Sequence, residues 1–254
     1  MFSYQLYSSR NFPPLADTLK MLAEVGYKDT EGFGGLYSDE ASLAVLADGL
    51  RANGLTMSTG HFGLPMIESD PDFVIRVARA VGMTNVYCPH LMPADRPTDG
   101  AGWQALGARL QKAGAPLVAA GLGFGWHNHD FEFAGCADGT VPMFQILTGG
   151  PALEWEMDVA WIVRGGSDPL AWIEAFKGRI TSAHVKDIAP RGENLTEDGW
   201  ADVGHGTVDW ATISAALRAA GVRYHVMEHD NPADDRRFAT RSLAAGATFQ
   251  GSGE

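Results

Sequence analysis

Cysteine is nearly absent from this chain: Cys88 and Cys136 are the only two, and they form no CxxC pair. That excludes a disulfide framework and a thiolate zinc site. Basic residues are also scarce, with 19 Lys and Arg against 31 Asp and Glu, a formal net charge of -12 and no basic run. Nucleic-acid binding rests on Lys and Arg neutralising phosphates, so a nucleic-acid partner is not expected. No apolar run is long enough to span a bilayer, and the opening Met1–Tyr7 lacks a basic stretch followed by an apolar one. Neither export nor membrane insertion is expected, and the chain reads as a reduced, cytoplasmic protein. It carries no low-complexity tract, and its only repeat is an alternation of short β-like runs with amphipathic helical windows.

That alternation runs the full length and is the pattern that builds parallel strands with crossover helices. Eight such pairs in 254 residues, 45% of them hydrophobic, predict one (β/α)8 TIM barrel spanning 1–254 as a single domain. Strands are expected at Phe2–Tyr7, Tyr27–Phe33, Leu55–His61, Asn85–Cys88 and Leu122–His129. The last three carry Asp158, His184 and Glu228 at their ends. Pro13-Pro14 opens the first helix and Gly26 stops it. Further helices are expected over Asp39–Asn53, Pro71–Val81 and Gly102 to about Ala120, the last broken near Gly114-Ala115-Pro116. Others follow Asp168-Pro169, Thr207–Trp210 and Pro232. The segment Ile188–His205 is rich in Gly, Pro and charge, and in a barrel it lies over the mouth.

Acid and imidazole groups cluster at the ends of the last four strands. Asp158, His184 and Glu228 would bring two oxygens and one nitrogen to one point, a shell that suits a divalent metal ion. Manganese is the first choice, with Mg, Co and Zn open. Each residue has a structural alternative: Asp158 as a turn cap, His184 as an interior hydrogen-bonder, Glu228 as an arginine partner. Three at equivalent positions of consecutive strands favour a site. On the fifth strand, alternation sends His127 and His129 to one side and Asn128 to the other. His127 is then the fourth metal ligand, and His129 sits one layer higher, beside a substrate hydroxyl. Glu132 stands beyond the strand and either reaches back over the metal or stabilises the turn. His61 is a candidate substrate contact, with Glu31 of similar standing. Trp126 and Trp155 are expected under the helices, whereas Trp161, on the way out of the barrel, is a candidate wall for a sugar ring.

The runs His127-Asn128-His129-Asp130-Phe131-Glu132-Phe133, Asp158-Val159-Ala160-Trp161, Asp168-Pro169, Gly178-Arg179-Ile180, His184-Val185-Lys186-Asp187, Gly204-His205-Gly206-Thr207-Val208-Asp209-Trp210 and Glu228-His229-Asp230 together resemble the sugar phosphate isomerase/epimerase family. These are xylose isomerase-like TIM barrels of the AP endonuclease 2 superfamily, and the likeness covers nearly the whole chain. In its ketose 3-epimerases a metal is held by Glu, Asp, His and Glu of the last four strands, and the two glutamates exchange the substrate proton. Asp158, His184 and Glu228 match three of those positions. Where the family has its first glutamate, this chain has His127. Either His127 binds metal and Glu132 or His129 becomes a base, or Glu132 turns inward as ligand.

The resemblance implies a divalent-metal isomerase or epimerase working through an enediolate on a small sugar or keto-sugar. Glu132, Glu228 and His129 are the candidate proton carriers, and Lys186 a candidate electrostatic partner of the enediolate oxygen. Loss of a β-substituent from the same enediolate would instead make the protein a dehydratase or lyase on a keto-inositol or 3-keto-glycoside. Two further readings are weaker. An apurinic-site endonuclease needs more histidines than this chain offers, with Trp161 where such nucleases place one; a non-catalytic sugar-binding barrel is suggested only by the missing glutamate. The chain is compatible with a homo-oligomer.

Overall fold

A computed structural model of the chain describes residues 1–249; residues 250–254 of the expected domain lie outside the described residues. In chain order the strands are β1 (Phe2–Gln5), β2 (Asp29–Gly32), β3 (Thr56–His61), β4 (Asn85–Cys88), β5 (Gly123–His127), β6 (Glu154–Asp158), β7 (Ile180–Val185), β8 (Asp187–Ile188), β9 (Trp200–Ala201) and β10 (Tyr224–Met227). All but β8 and β9 close into one barrel, in the order β1-β2-β3-β4-β5-β6-β7-β10, with every neighbouring pair parallel. Around it lie α1 (Leu15–Val25), α2 (Glu40–Asn53), α3 (Leu64–Ser69), α4 (Pro71–Val81), α5 (Gly100–Ala119), α6 (Pro142–Gly149), α7 (Val159–Arg164), α8 (Pro169–Phe176), α9 (Trp210–Ala219) and α10 (Asp235–Phe249). The molecule is a single (β/α)8 TIM barrel. Among the described residues no helix is long and apolar enough to cross a membrane.

The two faces of the strands do different work. Outward side chains form the apolar shell: Tyr4 packs 5.3 Å from Tyr27 and 5.5 Å from Phe238, and Trp155 meets Trp172 at 5.9 Å. Trp126 and Trp155 are fully buried. Inward positions toward the carboxyl ends carry Gln5, Glu31, His61, His127, Glu156 and His184, all buried, where branched aliphatics usually fill such barrels. Aspartates start most helices. Asp39, Asp70, Asp99, Asp168 and Asp209 each accept a backbone N–H from the first turn of α2, α4, α5, α8 and α9, satisfying amides that have no partner within the helix.

Three boundaries differ from expectation. The first strand stops at Gln5, whose side chain accepts from Tyr7 N and turns the chain into a 3-10 turn, Leu6–Ser9. No break occurs at Gly114–Pro116: α5 runs through Pro116 because its buried face, Leu110, Gly114 and Leu117, lies on β5. A Cβ on Gly114 would stand 1.9 Å from the Phe124 ring, so glycine is what permits that approach. The fifth strand ends at His127, and α6 and α7 are additional short helices flanking β6.

The segment after β7 brings Trp200 to 4.6 Å from Lys186 Nζ, and the pairing of two sequence motifs holds it there. The Asp187 carboxylate accepts from the backbone N–H of Ile188 (2.9 Å), Gly204 (2.9 Å), Gly206 (3.2 Å) and Val208 (3.1 Å). From α10, Arg237 bonds both oxygens of Glu197 at 2.9 and 2.8 Å and also reaches Asp202. A Cβ on Gly206 would lie 2.2 Å from Asp187 Oδ1. Gly206→Ala is therefore expected to cost about 1–3 kcal/mol, as overpacking does, and to speed proteolysis between residues 188 and 205; an unchanged urea midpoint and cleavage rate would show that this latch does not hold the loop.

Candidate active site

Strand register decides which groups meet. β5 and β6 pair His127 with Glu156, whereas β6 and β7 pair Asp158 with His184. Glu156 and Asp158 share the inner face of β6, two residues apart, so the side chains fall into two adjoining groups. Asp158, His184 and Glu228 form the upper one; His61, His127, Glu156 and His184 form the deeper one, with the ligand atoms of each group within 4.8 Å of one another.

His184 stands between them. Its Nδ1 lies 2.8 Å from Glu228 Oε2 and 3.9 Å from Asp158 Oδ2. Its Nε2 lies 2.7 Å from Glu31 Oε1, an oxygen that also accepts from Gln5 Nε2 at 2.7 Å. Lys186 Nζ closes the upper group, 2.8 Å from Asp230 Oδ1, 2.9 Å from Glu228 Oε2 and 3.5 Å from Asp158 Oδ2, with Trp200 and Trp161 above it at 4.6 and 5.1 Å.

Burial dominates the electrostatics, and neighbouring charge decides each outcome. Burial disfavours a charged His184 ring, but Glu228, Glu156 and Glu31 outweigh it and raise its pKa well above the ordinary histidine value. Burial likewise opposes ionisation of Glu228, yet Lys186 and His184 hold it well below the carboxylate range. For His129 the balance falls the other way: burial, His127, Lys186 and His90 outweigh the pull of Glu228 and push its pKa well below the ordinary histidine value, which favours the neutral imidazole.

Several buried polar atoms have no hydrogen-bond partner: Asp158 Oδ2, Glu156 Oε1, Glu31 Oε2 and His127 Nδ1. An unpaired buried polar atom costs about 1–3 kcal/mol, and four in one place mark a set of lone pairs available to a ligand. Carboxylate oxygens and imidazole nitrogens are the donors a divalent transition metal takes. The residues therefore fit a metal ion.

Above lies a cavity of about 440 Å³, lined among others by Tyr7, Phe33, His61, His90, His127, His129, Glu228 and Asp230. The placement of the expected site residues follows. Asp158, His184 and Glu228 come together. His127 sits beside His61 and Glu156, its ring centroid 4.4 Å from that of His184. His129 lines the cavity, and Trp161 stands behind it at 5.4 Å, outside the lining. His61 lies at the cavity floor, bonded to Glu156. Glu132 does not join the site: its oxygens accept from Trp126 Nε1 at 3.0 Å and from His129 N at 2.8 Å, as a turn anchor. Asp158 acts as a cap as well, through Trp161 N at 2.9 Å to Oδ1, leaving Oδ2 free. Glu156 was not singled out in the sequence; its signal is the strand alternation that puts it on the same face as Asp158. Tyr7 and Phe33 close the first two expected strands and Asp230 ends the Glu228-His229-Asp230 run, yet none of the three was singled out for the site; His90 follows β4 in a loop and carries no comparable signal.

No protein-family model matches the chain, and no curated protein matches it. Solved structures do. A sugar phosphate isomerase/epimerase from Parabacteroides distasonis ATCC 8503 superposes with a TM-score of 0.81 at 21% identity, covering 98% of this chain and 94% of the other. The shared fold is the closed parallel (β/α)8 barrel. The IOLI protein, solved with a zinc atom, gives 0.77 at 14% identity over 98% and 97% of the two chains. The probable 3-DHS dehydratase AsbF from Bacillus anthracis gives 0.76 at 14% identity over 97% and 98%. At these identities the likeness is one of fold alone.

The role of Glu132 has a pH signature. Burial raises its carboxyl from about 4.5 to about 8, so the folded chain holds a proton that the unfolded chain releases. The stability this gives is complete below pH 4.5 and is lost as pH rises through 8. Glu132→Gln, which cannot titrate, is expected to show a shallower fall in urea midpoint between pH 5 and pH 8; identical slopes in variant and parent would refute the assignment.

Proposed function

We propose that the chain is a divalent-metal-dependent isomerase or epimerase of a small, unphosphorylated keto-sugar. The observation that carries this reading is the convergence of Asp158, His184 and Glu228, with Asp158 Oδ2 unpartnered, below the cavity. In this reading Asp158, His184 and Glu228 hold the ion, and manganese is the first choice because two of the three donors are hard carboxylate oxygens. Such an ion supplies Lewis acidity toward a carbonyl oxygen and so lowers the cost of an enediolate.

The chain's own groups do the rest. Glu228, ionised at the floor, takes the proton from the carbon next to the carbonyl. His129, neutral and in the opposite wall, is the second proton carrier, a task that requires an imidazole able to accept. Lys186, held as an ammonium behind Glu228 and Asp230 and outside the cavity lining, acts through the field, offsetting negative charge that develops on the enediolate oxygen. The substrate class follows from the walls: the cavity lining holds no Arg or Lys and two carboxylates, which suits hydroxyl groups and repels a phosphate. Tyr7 and Phe33 give a sugar ring an apolar face.

A second reading uses the same enediolate. His90 stands 5.2 Å from His129, and the proton that this imidazole pair takes from carbon can be handed to a departing β-hydroxyl, making the enzyme a dehydratase of a cyclic keto-polyol. One experiment separates these outcomes. Incubated with Mn2+ and ketoses in deuterium oxide, the protein is expected to incorporate deuterium next to the carbonyl without losing water, and Glu228→Gln to slow exchange at least about 100-fold. Dehydrated product would select the second reading. Exchange that is independent of metal and untouched in Asp158→Asn and Glu228→Gln would overturn both.

A further inference from the structure

We propose that the deeper group is a separate metal site, formed by His61, His127 and Glu156, so that the barrel holds two ions and not one. Three imidazole nitrogens approach a single oxygen, Glu156 Oε2: His61 Nε2 at 2.5 Å, His127 Nδ1 at 3.2 Å and His184 Nε2 at 3.4 Å. The other oxygen, Oε1, has no hydrogen-bond partner, and the His127 Nδ1 contact, although 3.2 Å long, lacks the direction of a hydrogen bond, while both residues are buried. Hydrogen bonding alone would spread the donors over both oxygens. A crowded oxygen beside unpartnered, inward-facing atoms is the arrangement of donors that share a cation.

The spacing fits. Ligands about 2.0–2.1 Å from a tetrahedral ion stand about 3.3 Å from one another. His127 Nδ1 and Glu156 Oε2 are already 3.2 Å apart, and the His61–Glu156 contact need open by only about 0.8 Å. His184 belongs to the upper group in this arrangement: Glu31 accepts its Nε2–H, which leaves Nδ1 facing Asp158 and Glu228, where an ion would take the place of its proton, as a carboxylate behind a ligating imidazole allows. The deeper site then has two imidazoles and one carboxylate, with a fourth position toward the cavity, which His61 and His127 both line. That donor set favours Zn2+ or Co2+ over Mg2+ or Mn2+, the reverse of the upper group.

The two groups share no ligand in this assignment, so they can be emptied separately. Wild-type protein stripped with chelator and titrated with Co2+ is expected to bind two ions per chain, one giving the intense visible absorption of four-coordinate cobalt. His61→Gln and Glu156→Gln should each bind one ion and lose that absorption. Asp158→Asn should bind one and keep it. Circular dichroism of each variant establishes that it is folded, and the wild-type titration stands even if one is not. Saturation of folded wild type at one ion, or loss of the same ion in His61→Gln and Asp158→Asn, would overturn the second site. Two ions with the upper one catalytically silent would instead count against the proposed reaction and leave this site standing.

Discussion

The barrel is organised around a charge problem. Glu31, Glu156, Asp158 and Glu228 are shut inside it with Lys186 as the one fully buried ammonium. An ionised carboxylate in such surroundings is tolerated only when paired, since its desolvation costs several kcal/mol. The structure answers by bringing three imidazoles and the lysine onto the same few oxygens. Removing any one partner would leave a buried charge uncompensated. The interior therefore cannot supply much of the folding free energy, and the hydrophobic burial that does so has moved outward. Trp126, Trp155, Trp210, Tyr4 and Phe238 fill the layer between strands and helices.

Motif residues divide along the same line. In the fifth-strand run, His127 and His129 face the cavity, while Asn128 and Glu132 work from the other side of the backbone. Asn128 Oδ1 accepts from Trp155 Nε1 at 2.8 Å and from Asp158 N at 3.0 Å, which ties the end of β5 to the end of β6. Glu132 joins Trp126 to the amide of His129. Asp187 shows the same economy: next to Lys186 in sequence, it turns away to bind the four amides that shut the loop.

Fold class was legible because parallel strands and crossover helices imprint their periods on the sequence, and Asp158, His184 and Glu228 were legible because they lie within one residue of strand ends. The deeper group was not, for a geometric reason. Strands in a closed barrel are staggered, so the end of β5 is level with Glu156, one pleat below the end of β6, and equivalence of strand ends is not equivalence of height. Reading His127 as a neighbour of Asp158 ignores that stagger. Pro116 misleads in another way, since the packing of Leu110 and Leu117 on the barrel outweighs the hydrogen bond that proline removes. The cavity walls at Tyr7, Phe33 and His90 lie where the pattern stops.

For Asp158 the structural role and the proposed functional one need not compete. Its Oδ1 caps α7 through Trp161 N, which fixes the plane of the carboxylate and aims the remaining lone pairs of Oδ2 into the site. Glu31 is fixed in the same manner by Gln5, and in turn fixes the ring of His184, so that one chain of hydrogen bonds crosses from β1 through β2 to β7. Asp158, Glu31 and His184 are each held by a buried neighbour. Such a site pays its ordering cost when the barrel folds, which is what catalysis by fixed dipoles and charges requires. The capping bond that makes Asp158 look merely structural also leaves its other oxygen without a hydrogen bond, as the proposed ligand role requires.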